Sequence, residues 1–471
     1  MSELETPRPS ARALRGAGLC QTLHWLASGR IDARELADVF LAAIEDENPR
    51  LNACLGIVPE RVRAEAARAV LRRREGRGIG RLDGVPVLVK DNLDVAGLPT
   101  TVGLPARCEH IVTTDAACVA KLRAAGAVIL GKTLLDEGAL GAVTANPHFG
   151  ATHNPLRHGY TAGGSSGGAA AAVAAGLCSV AIGSDGLGSI RIPASYCGVF
   201  ALKPTHGEIS TRGLVPSARR LDTVGLLARG VNDLTVLLQV LAGYDPEDPR
   251  SRRRRVALDL PDWEPGRLRT GVLADLHLLG CRPDVVAVFE QALATLDCEL
   301  GTRQPADLAG YPFAKARRAG LLLMEAEMLH TFAADLANTE RPVSPAFRAW
   351  LDYARGRGAA DYVAADRLLD LSVLTARRLF AEVDVLVTPT TPQAAFPLAA
   401  PVPDDQALFT AFASLAGCPA VSIPMGSVAD GLPVGLQFIG PPGSDLRLLE
   451  LAEVCAAALD AAPDYPVAAS G

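Results

Sequence analysis

The chain has 471 residues, of which 49% are hydrophobic and 21% charged, with a formal net charge of -6. That balance excludes a disordered chain, allows a sizeable core and gives no support for direct nucleic-acid binding. Ten cysteines are scattered without a Cys-x-x-Cys pair, and the eight histidines form no His-Glu-x-x-His, so no metal is expected. The start, Met-Ser-Glu-Leu-Glu, lacks the basic and apolar segments of a signal peptide. The longest apolar run, about residues 169–183, is Ala/Gly-rich and shorter than the ~20 residues a membrane span needs. A cytoplasmic protein with reduced thiols, no membrane contact and no cofactor is expected.

Residues 1–18 are expected to be poorly ordered at the start. Helices follow near Leu19, from Asp32 (a plausible N-cap) through Phe40 and Ile44, and over Pro59 to Arg74. Gly76 to Gly80 is read as a turn, because no strand precedes it to make a nucleotide loop. Val85 to Val89 reads as a buried strand ending at Lys90. A helix over Asp115 to Ala125 and a strand over Val128 to Leu130 complete a β-α-β rhythm. Strands are expected at Val180 to Ile182 and Val199 to Leu202, with Gly213 to Val215 a short strand or extended segment. A helix over Asn232 to Leu241 precedes a Pro/Asp/Arg-rich loop over 244–265. Arg252 to Arg255 in that loop is read as a solvated run rather than a phosphate patch.

Further on, Arg267 to Leu273 is a strand and Pro283 to Leu296 an amphipathic helix. Residues 311–382 are strongly helical. Strands follow at Val383 to Val387, Val421 to Pro424 and Val434 to Ile439, and a last helix spans Ser444 to Ala457. No repeat or linker divides the chain, so one large domain, 1–471, is the default.

Two Gly/Ser clusters flank the Ala-rich segment. Gly163-Gly-Ser165-Ser166-Gly-Gly168 could be a linker, but it abuts a strong helix former, Ala169 to Ala175. At a helix start, backbone N–H groups favour negative charge, and glycines let a substrate approach. Ser189 follows Gly186-Leu187-Gly188, a tight turn suited to a nucleophile beside an oxyanion hole, though a surface-turn serine has the same local sequence. Neither Gly-x-Ser-x-Gly nor Ser-x-x-Lys occurs at these sites. His148, His153, His158 and His206 lie near in sequence without an evident acid partner. Lys90 is the remaining base: it ends an apolar strand, where desolvation favours the neutral amine. The chain has only five lysines against 41 arginines, and four of the five fall between 90 and 203.

Together these segments resemble the amidase signature family. The most specific part is Gly163 to Ala171 with Gly183-Ser-Asp-Gly-Leu-Gly-Ser-Ile-Arg-Ile-Pro193 and on to Thr205. Gly84 to Thr101, Leu130 to Thr133, Phe149 to Pro155, Asp384 to Pro389 and Gly431 to Gly440 extend the resemblance over nearly the whole chain. It implies an α/β fold with a mixed, twisted sheet covered by helices on both faces. The signature core would span about 80–240, and a helical substrate-pocket region about 300–382. It implies Ser189 as nucleophile, Ser165 as bridging serine after a cis bond from Gly164, and Lys90 as base. The oxyanion would be held by the N–H groups of Gly186, Leu187, Gly188 and Ser189. Ser166, Asp185, Arg191 and Asp222 would support the site.

The chemistry so implied is hydrolysis of a small-molecule amide through an acyl-enzyme. Other family activities are the A-type component of an amidotransferase, which works with a partner protein, and biuret- or allophanate-type hydrolysis. A homodimer or an amidotransferase-type partner is the association to expect, and a non-catalytic scaffold is the rival from another class. Leu187 stands where most relatives have Gly, and would narrow the pocket beside the oxyanion hole. Glu208 and Leu226 also depart from common family residues and leave the subfamily open.

Overall fold

Val87, Leu88 and Val89 are wholly buried, and the strand they form, Pro86–Lys90, carries its lysine into the interior. An apolar, β-branched run with no polar alternation suits a strand covered on both faces. It belongs to an eleven-stranded sheet in a computed structural model that describes residues 8–253, 266–308, 310–461 and 465. In chain order the strands are β1 Cys54–Leu55, β2 Pro86–Lys90, β3 Val128–Thr133, β4 Val180–Asp185, β5 Phe200–Lys203 and β6 Thr223–Ala228. They continue as β7 Arg269–Val272, β8 Thr302–Pro305, β9 Val385–Pro389, β10 Ala420–Ser427 and β11 Pro433–Ile439. Their spatial order is β1-β3-β2-β4-β6-β5-β10-β11-β9-β7-β8, with parallel and antiparallel neighbours mixed. The chain is thus a single α/β domain whose mixed sheet is covered by helices.

Three pieces of this frame position the site. β2 and β4 run parallel with Val89 opposite Ile182, so their C-terminal ends lie side by side. β4 and β6 run antiparallel with Asp185 opposite Thr223, which brings Asp222 beside Gly186. The Gly167–Ala174 helix is buried at every residue and packs on β2, β3, β4 and β6. A Cβ on Gly168 would come within 2.6 Å of the Ala53 carbonyl and the Leu134 backbone, so this approach requires glycine.

Local signals set the outer helices. Asp32 caps Ala33–Leu51 through a capping box with Glu35, and Pro59 opens the Pro59–Arg74 helix. The 311–382 region is four helices, Phe313–Thr331, Ala333–Ala337, Pro345–Arg355 and Ala359–Glu382.

The structure departs from the sequence expectations in several places, strands β1 and β8 and a Leu408–Leu415 helix among them. Ala11–Gly16 is a helix rather than an irregular start: Arg15 is buried, with Nη2 3.0 Å from Glu47 and 3.1 Å from the Ala175 carbonyl. β6 is a buried apolar run that periodicity alone does not separate from loop or helix. Gly213 to Val215 forms no strand; Leu214 makes a single bridge to Leu93. The loop expected over 244–265 is irregular through Arg253, and Arg254, Arg255 and the rest of it lie outside the described residues. No helix among the described residues is long and apolar enough to cross a membrane.

Candidate active site

Lys90 is fully buried, and its Nζ lies 2.8 Å from Ser165 Oγ and 3.0 Å from Ser184 Oγ. Ser184 Oγ also accepts from Asn92 Nδ2 at 2.9 Å. Burial pulls the lysine down to about 7, against the opposing pull of Asp136, Asp185 and Asp222. Removing the ammonium from water costs more than three carboxylates at these positions return. Near neutral pH this amine can therefore accept a proton, as no arginine could.

Ser165 follows Gly164 through a cis peptide bond. The surrounding backbone is tied down from several sides. Thr144 Oγ1 donates to the Gly163 carbonyl at 2.8 Å and accepts the Gly167 N–H at 2.9 Å. Asp136 accepts the N–H groups of Val143 and Thr144, and a Cβ on Gly164 would run into its carboxylate. Ser166 joins the two Gly/Ser clusters: its N–H donates to the Ser189 carbonyl at 3.0 Å and its Oγ to the Ser184 carbonyl at 3.1 Å.

Ser189, half-buried, opens into a cleft. The turn before it is shaped by Asp185, which accepts the Gly188 N–H at 2.7 Å and the Ile190 N–H at 3.3 Å. This removes Gly188 from the oxyanion donors expected from sequence, because its hydrogen already points at a carboxylate. The N–H groups of Gly186, Leu187 and Ser189 have no acceptor among the described residues. Arg191 is wholly buried and commits its guanidinium to the scaffold. It grips Asp185 at 2.9 and 3.0 Å and bonds the Thr410 carbonyl, Gln437 and Ser414. Burial pushes the Asp185 carboxyl up, but Arg191 more than offsets this and leaves it below its ordinary value. Asp222 accepts the Ser217 and Ala218 N–H groups at 2.9 and 3.0 Å. Burial raises it to about 7 despite those bonds.

The cleft holds about 640 Å³ and is walled mainly by hydrocarbon, including Leu140, Leu187, Ile192, Leu321 and Met324. Leu187 reaches the Phe313–Thr331 helix, where a Cβ on Gly320 would lie 3.0 Å from its Cδ2. Its carbonyl accepts from Thr410 Oγ1 at 2.6 Å. Trp350 and Tyr353 of the Pro345–Arg355 helix stand at the same cleft, largely exposed.

The histidines take no part in this arrangement. His148 Nε2 is 2.9 Å from Glu137, and His153 stacks on His158. No cluster of three or more metal-ligating side chains occurs among the described residues. Ser184, Asn92, Asp136 and Thr144 are neighbours of the site that local sequence does not announce. Ser184 and Asn92 lie inside recognisable motifs; Asp136 and Thr144 arrive through contacts made along the chain.

Residues 35–449 match the Amidase family. The A-type component of the glutamyl-tRNA(Gln) amidotransferase of Synechococcus sp. (strain CC9605) is 36% identical over 466 residues, covering 91% of this chain and 93% of that protein. One solved structure, described as an unexpected vestigial protein complex revealing the evolutionary origins of an s-triazine catabolic enzyme, matches with a TM-score of 0.86. It is 32% identical, over 93% of this chain and 98% of its own. A 6-aminohexanoate cyclic dimer hydrolase solved with its substrate matches with a TM-score of 0.85 and 28% identity, covering 96% and 99% of the two chains. The chain belongs to the amidase signature family.

Proposed function

We propose that this protein hydrolyses a small-molecule amide through an acyl-enzyme on Ser189. The observation that carries the reading is the buried Lys90, held down to about 7 and 2.8 Å from Ser165 Oγ. In this scheme neutral Lys90 accepts the Ser165 proton while Ser165 takes that of Ser189, so that Ser189 Oγ attacks the amide carbon. The N–H groups of Gly186, Leu187 and Ser189 receive the developing oxyanion. The relay then runs backwards: the amine departs with the proton, and water cleaves the ester under the same base. Asp185, Arg191, Ser166 and Asp222 shape the turn and the field without touching substrate. No cofactor enters the scheme.

The same proposal assigns the signature core, about 80–240, to the chemistry and the helical region, about 300–382, to the substrate. Helices Phe313–Thr331 and Pro345–Arg355 contribute Met324 and Trp350 to the cleft, which supports that division. We place the protein in the cytoplasm, where a reducing environment suits ten unpaired cysteines.

A second reading is an A-type amidotransferase component that releases ammonia from glutamine for a partner. The names of the curated relatives favour it. A largely apolar cleft favours the stand-alone hydrolase. Assay of the purified chain on primary amides, anilides, ureas and glutamine, with and without a B-type partner protein, separates the two. Turnover of an amide by the chain alone is expected. Glutaminase activity that appears only with the partner would replace this reading with the second.

A further inference from the structure

The polar side chains of the cleft are not equally committed. Arg318 gives both terminal nitrogens to Glu325, at 2.9 and 2.6 Å, and lies over the Tyr353 ring at 4.1 Å. Gln406 accepts from the Tyr196 hydroxyl at 3.2 Å and donates to the Pro403 carbonyl at 3.1 Å. Arg317 and Asp404 are different. The Arg317 Nε–H is buried without any partner, and neither side chain makes a hydrogen bond or close ion pair with a described residue. Burial holds the Arg317 guanidinium down, and Asp404 and Asp405 oppose this from beyond ion-pair distance. A buried donor left unmatched in a site costs free energy unless a ligand or water fills it.

Resting on the hydrolase reading, we infer that Arg317 and Asp404 recognise a second, non-reacting amide group of the substrate, the carbonyl facing Arg317 and the N–H facing Asp404. One cation and one anion in the same wall suit a dipolar neutral group. A lone carboxylate would meet Asp404, and a lone ammonium would meet Arg317. The hydrocarbon of Leu187, Leu321 and Met324 covers the carbons between the two amides. The substrate class is therefore an aliphatic diamide, or a compound containing one, of which one amide is cleaved.

The test uses Ser189→Ala protein, so that binding is read without turnover. Calorimetric titrations compare linear C4 to C8 diamides with the monoamides of equal length and with their ω-carboxylate analogues. At the best length the diamide should bind about tenfold more tightly than either, the difference one charge-assisted hydrogen bond makes. Adding Arg317→Leu or Asp404→Ala should erase that tenfold gain and leave the monoamide unchanged. Asp404 is exposed, so its variant tests the inference even if Arg317→Leu fails to fold. Equal binding of diamide and monoamide at every length, tighter binding of the ω-carboxylate, or equal loss for diamide and monoamide would overturn the inference. Failure of the wild-type chain to hydrolyse any amide would instead overturn the hydrolase reading and leave this binding contrast standing.

Discussion

The two halves of the cleft are built on opposite principles. Around Lys90 and Ser165 most polar side chains are buried and hydrogen-bonded, while the Gly186, Leu187 and Ser189 N–H groups keep no acceptor among the described residues. Arg191 alone makes five bonds to four residues, and Asp185 fixes two backbone N–H groups as well. Across the cleft, on Phe313–Thr331 and Pro345–Arg355, Met324 and Glu325 are buried, but Arg317, Leu321, Trp350 and Tyr353 are half-buried or exposed and Arg317 Nε is uncommitted. Chemistry needs groups held within a fraction of an ångström, whereas selection among substrates needs surfaces that substitution can alter cheaply. On the proposed reading, this contrast would let one scaffold keep its reaction and change its substrate.

The largest expected effect comes from the committed half. Ser189→Ala or Lys90→Ala should lower kcat by about 10⁴-fold or more, with the melting temperature unchanged for Ser189→Ala, as deletion of a nucleophile or its base does elsewhere. A fall of less than about tenfold in amide turnover would move the chemistry off these residues. Next is Arg191→Met. It leaves Asp185 as an uncompensated buried charge and should cost about 3–5 kcal/mol of stability, read by denaturant unfolding. A loss under about 1 kcal/mol would show that the pair is solvated and the contrast overstated.

The pH profile sharpens the same comparison. In the proposed mechanism Lys90 acts as the neutral amine, and its ammonium persists below about 7. kcat/KM should therefore rise through a limb near 7 and level off above it; Asp222, also near 7, ionises in the same interval. A profile flat from pH 5 to 9 would contradict a lysine base. The smallest effect belongs where the two halves meet, at Leu187 of the turn before Ser189, whose side chain reaches the Phe313–Thr331 helix. Leu187→Gly removes cleft wall without touching the buried bonds, and should shift selectivity toward bulkier amides by about 10-fold in kcat/KM. Equal loss for small and large amides would mean that Leu187 serves the turn instead.

What sequence reveals divides along the same line. Strand β2, the capping box of Asp32 and the glycine-rich turns are written locally, because burial, capping and positive φ each demand particular residue types. Lys90, Ser165 and Ser189 stand in motifs for that reason. The proposed oxyanion donors are harder to read: nothing in Gly186-Leu187-Gly188 says which N–H keeps no acceptor and which turns back to Asp185. Asp136 and Thr144 reach the site from a segment 29 and 21 residues upstream of Ser165, so no spacing announces them. Arg317 and Asp404 are ordinary charged residues until the fold places both at one cavity.

The most direct test of the central claim is the rate at which a fluorophosphonate labels the protein, followed by intact mass and peptide mapping from pH 5 to 9. One label on Ser189 is expected, with a rate that rises through about pH 7 and near-total loss of labelling in Lys90→Ala and Ser165→Ala. Labelling of another residue, or labelling of Ser189 at the same rate in Lys90→Ala, would contradict it.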